Sequence, residues 1–394
     1  TSALIVNGGN YIYNLLLGRA LGPEIFANVA ILITILLVVS FLAMTFQLTV
    51  AKFTVELDRN EANAFNRWIY KRALLVGLVI AAIIIVFAPQ MAELLQTGNS
   101  TMFVYFGIGV PLFFLMSVKR GQLQGSNRLF TLSGSYQAEM WSRLLVTVIL
   151  LFILGLDATT TVSVAIFASF VAGYLPGNFN VSKRRKRYKI SKANRIKIYT
   201  FFGVTIAYEL TQIICNNSDI ILVKHYFETE LAGLYASMAL IGRVVYFVTW
   251  MFVMLLLPKV IQKRKEGAAT QPILFRYITY ISFIAITITA LAFLFPETLL
   301  LILFGDAYVT IAPLLGYYVL ATSLFAISNV FAYYYLSLDK FIPIAISAVM
   351  GGMQIASIMV LHDTLFEVVI AQVWVMAGLL TFQCAYFIRL KETY

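Results

Sequence analysis

Four polar side chains recur at steps of three, four and three inside one apolar stretch: Glu209, Gln212, Asn216 and Asp219. On a helix those steps place all four on one face. The stretch 1–18 repeats the theme with Asn7, Asn10 and Asn14, so that Asn10 matches Asn216 at an offset of 206 and Asn14 matches Asp219 at 205. Carboxamides in such a setting either bind one helix to the next or offer hydrogen bonds to a polar solute. An ionised carboxylate deep in an apolar helix costs a few kcal/mol, so Glu209 predicts a cavity rather than lipid around it. Arg243 raises the same demand within Leu240–Tyr246. It requires a partner, for which Glu209 is the candidate, or a water-filled cavity. Its guanidinium also suits phosphate, through two parallel hydrogen bonds.

Other chemistry is excluded by composition. The two histidines, His225 and His362, and the two cysteines, Cys215 and Cys384, lack the spacing of a metal site or a disulfide frame. No cofactor and no catalytic residue is expected.

The elements that must position these side chains are membrane helices. Of 394 residues, 61% are hydrophobic and 12% charged, with mean hydropathy +0.86. Ordinary soluble chains are roughly half apolar and a quarter charged. Apolar blocks such as 27–45, 73–89 and 278–295 are long enough to cross a hydrocarbon core of roughly 30 Å. They lack the alternation of barrel strands. We expect twelve spans, near 1–18, 27–51, 73–92, 102–118, 141–156, 160–178, 198–223, 232–257, 277–296, 310–336, 341–361 and 366–388. Because the chain starts at Thr1 in an apolar stretch, a few residues are expected to precede it, without a cleavable signal peptide.

Charge sorts the connections. All but four of the 29 Lys and Arg follow even-numbered spans, and acidic residues dominate the odd-numbered loops. Basic loops stay cytoplasmic, which predicts both termini inside. The net charge of +11 is therefore a topology signal. The run Lys183–Arg187 with Lys189, Lys192, Arg195 and Lys197 is read as a solvated linker touching anionic lipid, not as a nucleic-acid site. The four exceptions are Arg19, Arg143, Lys224 and Arg243. Arg143 stands four residues after Glu139, the spacing of a local ion pair. Arg19 and Lys224 end equivalent spans and either reach the outer headgroups or line a cavity.

The second half echoes the first. Residues 22–27 fall on 228–233 at offset 206, Pro89 on Pro296 and Gly98-Asn99 on Gly305-Asp306 at 207, and 127–130 on 339–342 at 212. Six spans per half make the repeat parallel, about an axis along the membrane normal. The expected organisation is an N-terminal six-helix lobe (1–178), a basic linker (179–197) and a C-terminal six-helix lobe (198–394), flanking a central cavity.

Several segments resemble a known family: Leu17–Phe26 after span one, Gln124–Arg128 after span four, Asn217–Val223 in span seven, Ala232–Ala236 entering span eight, and Leu257-Pro258-Lys259 closing it. Through them the whole chain resembles the polysaccharide flippases of the multidrug/oligosaccharidyl-lipid/polysaccharide exporter superfamily. The resemblance implies an all-α, multi-pass protein of the bacterial cytoplasmic membrane. It implies transport of undecaprenyl-pyrophosphate-linked oligosaccharide between leaflets by alternating access, for O-antigen, capsule or exopolysaccharide. The expected partners are that substrate, membrane lipids and the pathway's polymerase and glycosyltransferases, with no nucleic acid, and the chain is expected to act as a monomer. Arg243, Arg19 and Lys224 are the candidates for the pyrophosphate, and Asn10, Asn14, Gln212 and Asn216 for sugar hydroxyls. Glu209 or Asp219 is the candidate for ion coupling. A small-molecule antiporter of the multidrug branch is the alternative. An enzyme is not expected, because every odd-numbered loop is too short for an extramembrane active site.

Overall fold

The computed structural model describes residues 2–177, 190–338, 340 and 342–391. The described residues form thirteen α-helices and no strand. They are α1 (Ser2–Glu56), α2 (Arg59–Val86), α3 (Ala88–Leu94), α4 (Thr101–Gly125), α5 (Leu129–Val148), α6 (Ala158–Tyr174), α7 (Lys192–Tyr226), α8 (Thr229–Lys265), α9 (Gln271–Leu294), α10 (Pro296–Leu303), α11 (Ala312–Ser337), α12 (Ile342–Val360) and α13 (Leu365–Lys391). A helix satisfies every backbone group within its own segment, the condition for crossing lipid. Among the described residues nine helical stretches are long and apolar enough to do so.

Among the described residues each of the twelve expected spans falls mainly on helix. Spans one and two share α1, which breaks at Gly22 (φ 75°, ψ 169°) just before Pro23. Only glycine takes that backbone conformation without steric cost. Span four runs further than hydropathy suggests, because α4 continues through Lys119 and Arg120 to Gly125. Of the expected linker, residues 179–189, with Lys183–Arg187 and Lys189, lie outside the described residues, while Lys192, Arg195 and Lys197 belong to α7.

The repeat is visible in the helices themselves. The short helices α3 and α10 each begin with proline in the first turn, at Pro89 and Pro296. Each is followed by a glycine at positive φ, Gly98 (65°) and Gly305 (103°).

The chain packs as two compact units, residues 1–17 with 28–213, and residues 18–27 with 214–394. In the first, a Cβ on Gly121 would lie 2.5 Å from the Gln47 carbonyl oxygen, and one on Gly125 2.5 Å from that of Ala51. This glycine pair, four residues apart, lets the backbones of α4 and α1 approach closely, the usual device where lipid supplies no hydrophobic drive between helices. Phe46 packs edge-on against Phe114 and Phe202, and Phe53 against Phe201. In the second unit, Leu256, Val260, Leu274, Tyr277 and Ile281 form a core with Phe331 and Tyr334. There Gly233, at the start of α8, abuts the Pro23 carbonyl and leaves no room for a Cβ.

Candidate functional site

The second unit buries a polar cluster on four helices. Asp219 of α7 is 1% exposed. Its Oδ2 accepts from the Tyr235 hydroxyl of α8 at 2.9 Å and from the Tyr318 hydroxyl of α11 at 2.8 Å. The two rings meet edge to face, 5.5 Å between centroids. Gln372 of α13 donates to the Tyr235 oxygen at 2.6 Å. Tyr318 reaches Asp219 because its neighbour on α8 is Gly242, where a Cβ would lie 2.6 Å from the Tyr318 ring.

Arg243 stands beside this carboxyl. Its Nη2 donates to the Asn216 carbonyl at 2.9 Å and to the Asn217 side-chain oxygen at 3.0 Å. Among the described residues Arg243 and Asp219 form no ion pair within 4.0 Å, and two buried atoms of the cluster, Arg243 Nε and Asp219 Oδ1, have no hydrogen-bond partner. A carboxyl held by neutral phenols can take up or release a cation or a proton without dismantling an ion pair. A guanidinium held by neutral oxygens keeps its charge available to an anion.

The structure thus brings together Asn216, Asp219 and Arg243 of the expected site residues. Lys224 is also in this unit, 1% exposed, and donates to the Thr229 hydroxyl at 3.0 Å. It is buried rather than extended to an outer surface. Arg19 is exposed and donates to the Ile302 carbonyl at 2.8 Å. Asn10, Asn14, Glu209 and Gln212 belong to the first unit. Asn10 and Asn14 are half-buried, and the Asn14 amide bonds the Asn10 carbonyl at 2.8 Å. Gln212 and Glu209 are buried. Glu209 was the partner expected for Arg243; the contacts that hold Arg243 come instead from Asn216 and Asn217.

Tyr235, Tyr318, Gln372 and Asn217 escaped the sequence analysis as site residues. Tyr318 is one of 22 tyrosines in the chain and stands beside another, Tyr317, and Gln372 is a single polar residue in an apolar run. That isolation is its one signal, since a lone carboxamide in a span needs a partner.

The first unit buries a different polar group. Glu139 of α5 pairs with Arg120 of α4 at 2.8 Å and with Arg143 at 2.5 Å. Arg120 also donates to the Ser135 hydroxyl at 2.9 Å and to its carbonyl at 3.0 Å, and stacks over Tyr136. The expected Arg143–Glu139 pair is there. Arg120, read as a loop cation, is instead 4% exposed within α4, and Lys119 beside it donates to the Tyr174 carbonyl. The apolar run ends at these cations, yet the helix continues because a buried carboxylate and backbone oxygens receive them.

Residues 16–313 match the sequence profile of the polysaccharide biosynthesis protein family. Similar folds occur in an inward-facing multidrug resistance MATE transporter of the MOP superfamily (TM-score 0.81, 13% identity, 100% of this chain and 96% of the other). The lipid II flippase MurJ in an inward closed conformation is also similar (TM-score 0.77, 13% identity, 98% and 86%). So is an outward-facing MATE transporter (TM-score 0.60, 15% identity, 100% and 95%). A search of curated proteins returned no significant match. The chain is thus a multi-pass membrane protein whose fold is similar to that of these solved structures. By its sequence the chain belongs to the polysaccharide biosynthesis protein family.

Proposed function

We propose that this protein moves undecaprenyl-pyrophosphate-linked oligosaccharide from the inner to the outer leaflet of the bacterial cytoplasmic membrane by alternating access, for a surface polysaccharide. The observation that carries the reading is Arg243, a buried guanidinium held by neutral oxygens, with Nε lacking a partner among the described residues. A pyrophosphate and many hydroxyls cannot cross hydrocarbon unaided, and a desolvated guanidinium is well suited to phosphate. The half-buried Asn10, Asn14 and Asn216 and the buried Gln212 are assigned to sugar hydroxyls, with Arg19 and Lys224 as auxiliary cations. Asp219, or else Glu209, couples the cycle to an ion gradient by binding a proton or cation in one phase. Both termini lie on the cytoplasmic side, where the polymerase pathway's glycosyltransferases supply the substrate.

Glycan export by cells carrying only Arg243→Ala or Glu209→Gln tests the reading. Loss of export with normal protein level is expected for Arg243→Ala, and unchanged export removes Arg243 from substrate binding. A multidrug antiporter is the second reading, favoured by the likeness to MATE transporters. It predicts altered drug susceptibility on deletion, with surface glycan intact.

A further inference from the structure

A second group of cations lies apart from this cluster, at the α8–α9 end of the second unit. Lys259 and Arg276 line a cavity of about 280 Å³ together with Phe252, Ile273, Tyr277 and Tyr280. Lys259 Nζ sits 5.7 Å from the centre of the Tyr277 ring. The aromatic side chains form one surface: Phe252 lies 6.3 Å from both Tyr277 and Tyr280, centroid to centroid. Tyr277 is 5% exposed whereas Tyr280 is 50% exposed, so the wall passes from protein interior to the outside of α9. That outside is apolar, with Phe275, Phe283 and Ile286 all exposed, the composition of a lipid-facing helix.

Neither cation is neutralised. Among the described residues Lys259 and Arg276 have no ion pair or hydrogen bond. The nearby acid in sequence, Glu266, is engaged by Lys263 at 2.7 Å. Both cations are exposed, and two positive charges lining one small cavity favour an anion between them over either charge alone. At about 280 Å³ the cavity is just smaller than the roughly 300–1,000 Å³ of ligand pockets, a size that suits a headgroup. Basic pockets between membrane helices on the cytoplasmic side are of the kind that bind phosphate-bearing headgroups.

We propose that this cavity is a binding site for one anionic phospholipid of the leaflet next to the α8–α9 connection, its phosphate between Lys259 and Arg276 and an acyl chain along Phe252 and Ile273. The site is separate from the Asp219–Arg243 cluster and does not depend on which solute is transported. It would make the protein responsive to the anionic lipid content of the membrane.

Native mass spectrometry of the full-length protein, exchanged into mixtures of phosphatidylglycerol and phosphatidylcholine, tests this. One phosphatidylglycerol retained per chain in preference to phosphatidylcholine is expected. Each juxtamembrane cation contributes a factor of about five in lipid affinity, so Lys259→Gln with Arg276→Gln should weaken retention about twenty-five-fold. Lys263→Gln, which removes a paired cation, should leave retention unchanged. Ile273→Trp keeps both charges and fills the cavity, and should also lose the lipid. A thermal midpoint for each variant separates loss of the site from loss of the fold. Equal retention of the two lipids, or no effect of either cavity variant in folded protein, overturns the proposal. Displacement by millimolar inorganic phosphate with no preference among lipids would also overturn it, by showing a free-anion site.

Discussion

Each unit buries a carboxylate together with arginine, and the two satisfy their charges by opposite means. In the first, Glu139 sits between Arg120 and Arg143 at 2.8 and 2.5 Å, and serine oxygens take up further guanidinium donors. In the second, the Asp219 carboxyl is held by two phenols and the Arg243 guanidinium by two amide oxygens, with no contact pair between them. A closed ion cluster is costly to open, because removing one partner strands a buried charge. An open one can exchange a proton, cation or anion while its scaffold stays hydrogen-bonded. On the proposed function, the first cluster is fixed structure and the second carries the exchangeable chemistry.

The sharpest way to break this contrast is to neutralise both carboxylates. Glu139→Gln leaves two guanidiniums in a buried site and should cost about 3–5 kcal/mol. It is expected to appear as a large fall in thermal midpoint and in the amount of protein in the membrane. Asp219→Asn keeps an acceptor for Tyr235 and Tyr318, and should cost about 1 kcal/mol while abolishing transport. If the two substitutions destabilise the protein equally, the contrast collapses.

Glycine contacts give a second, smaller test. Gly121→Ala sets a Cβ against the backbone oxygen of Gln47, which cannot swing aside, and Gly242→Ala sets one against the Tyr318 ring, which can. Overpacking costs about 1–3 kcal/mol. Gly121→Ala should lie at the upper end and lower stability. Gly242→Ala should lie at the lower end but push Tyr318 from Asp219, so that transport falls more than the thermal midpoint does. A Gly242→Ala protein with full transport would remove Tyr318 from the working cluster.

The spans were legible because lipid imposes a rule on every residue: twenty or so apolar positions and a closed backbone. The Arg143–Glu139 pair was legible because its partners are one helical turn apart. The rest of the two clusters was not. Tyr318 and Gln372 reach their partners across 99 and 137 residues, and only packing sets those distances. Arg120 was misplaced for a related reason: hydropathy marks a cation as a span end, whereas Glu139, nineteen residues on, makes it an interior residue. Glu209 and Arg243 were joined by charge alone, whereas a buried arginine can also donate to neutral oxygens, as Arg243 does to Asn216 and Asn217.

The smallest test lies at the repeat-equivalent ends of α6 and α13. Asp157 caps α6: its carboxylate accepts from the Thr160 amide at 2.9 Å and the Thr159 hydroxyl at 2.6 Å. Thr364, at offset 207, does the same for α13, accepting from the Glu367 amide at 3.3 Å while the Glu367 side chain accepts from the Asp363 amide at 3.2 Å. Partial burial alone would raise the Asp157 carboxyl, but the Thr159 and Thr160 donors outweigh it and hold the group below its ordinary value. A carboxyl depressed in the folded state contributes stability above its unfolded pKa, and that contribution is lost as pH falls through the folded pKa. Asp157→Ala should therefore cost about 1 kcal/mol at neutral pH, and the gap to wild type should close as pH falls below about 4. The Thr364 hydroxyl does not titrate, so the part of the Thr364→Ala cost that comes from its bond to the Glu367 amide should stay constant across the same range. Thermal midpoints measured between pH 7 and about 3 distinguish the two caps; a pH-independent Asp157→Ala gap would show that its carboxylate charge contributes nothing to the cap.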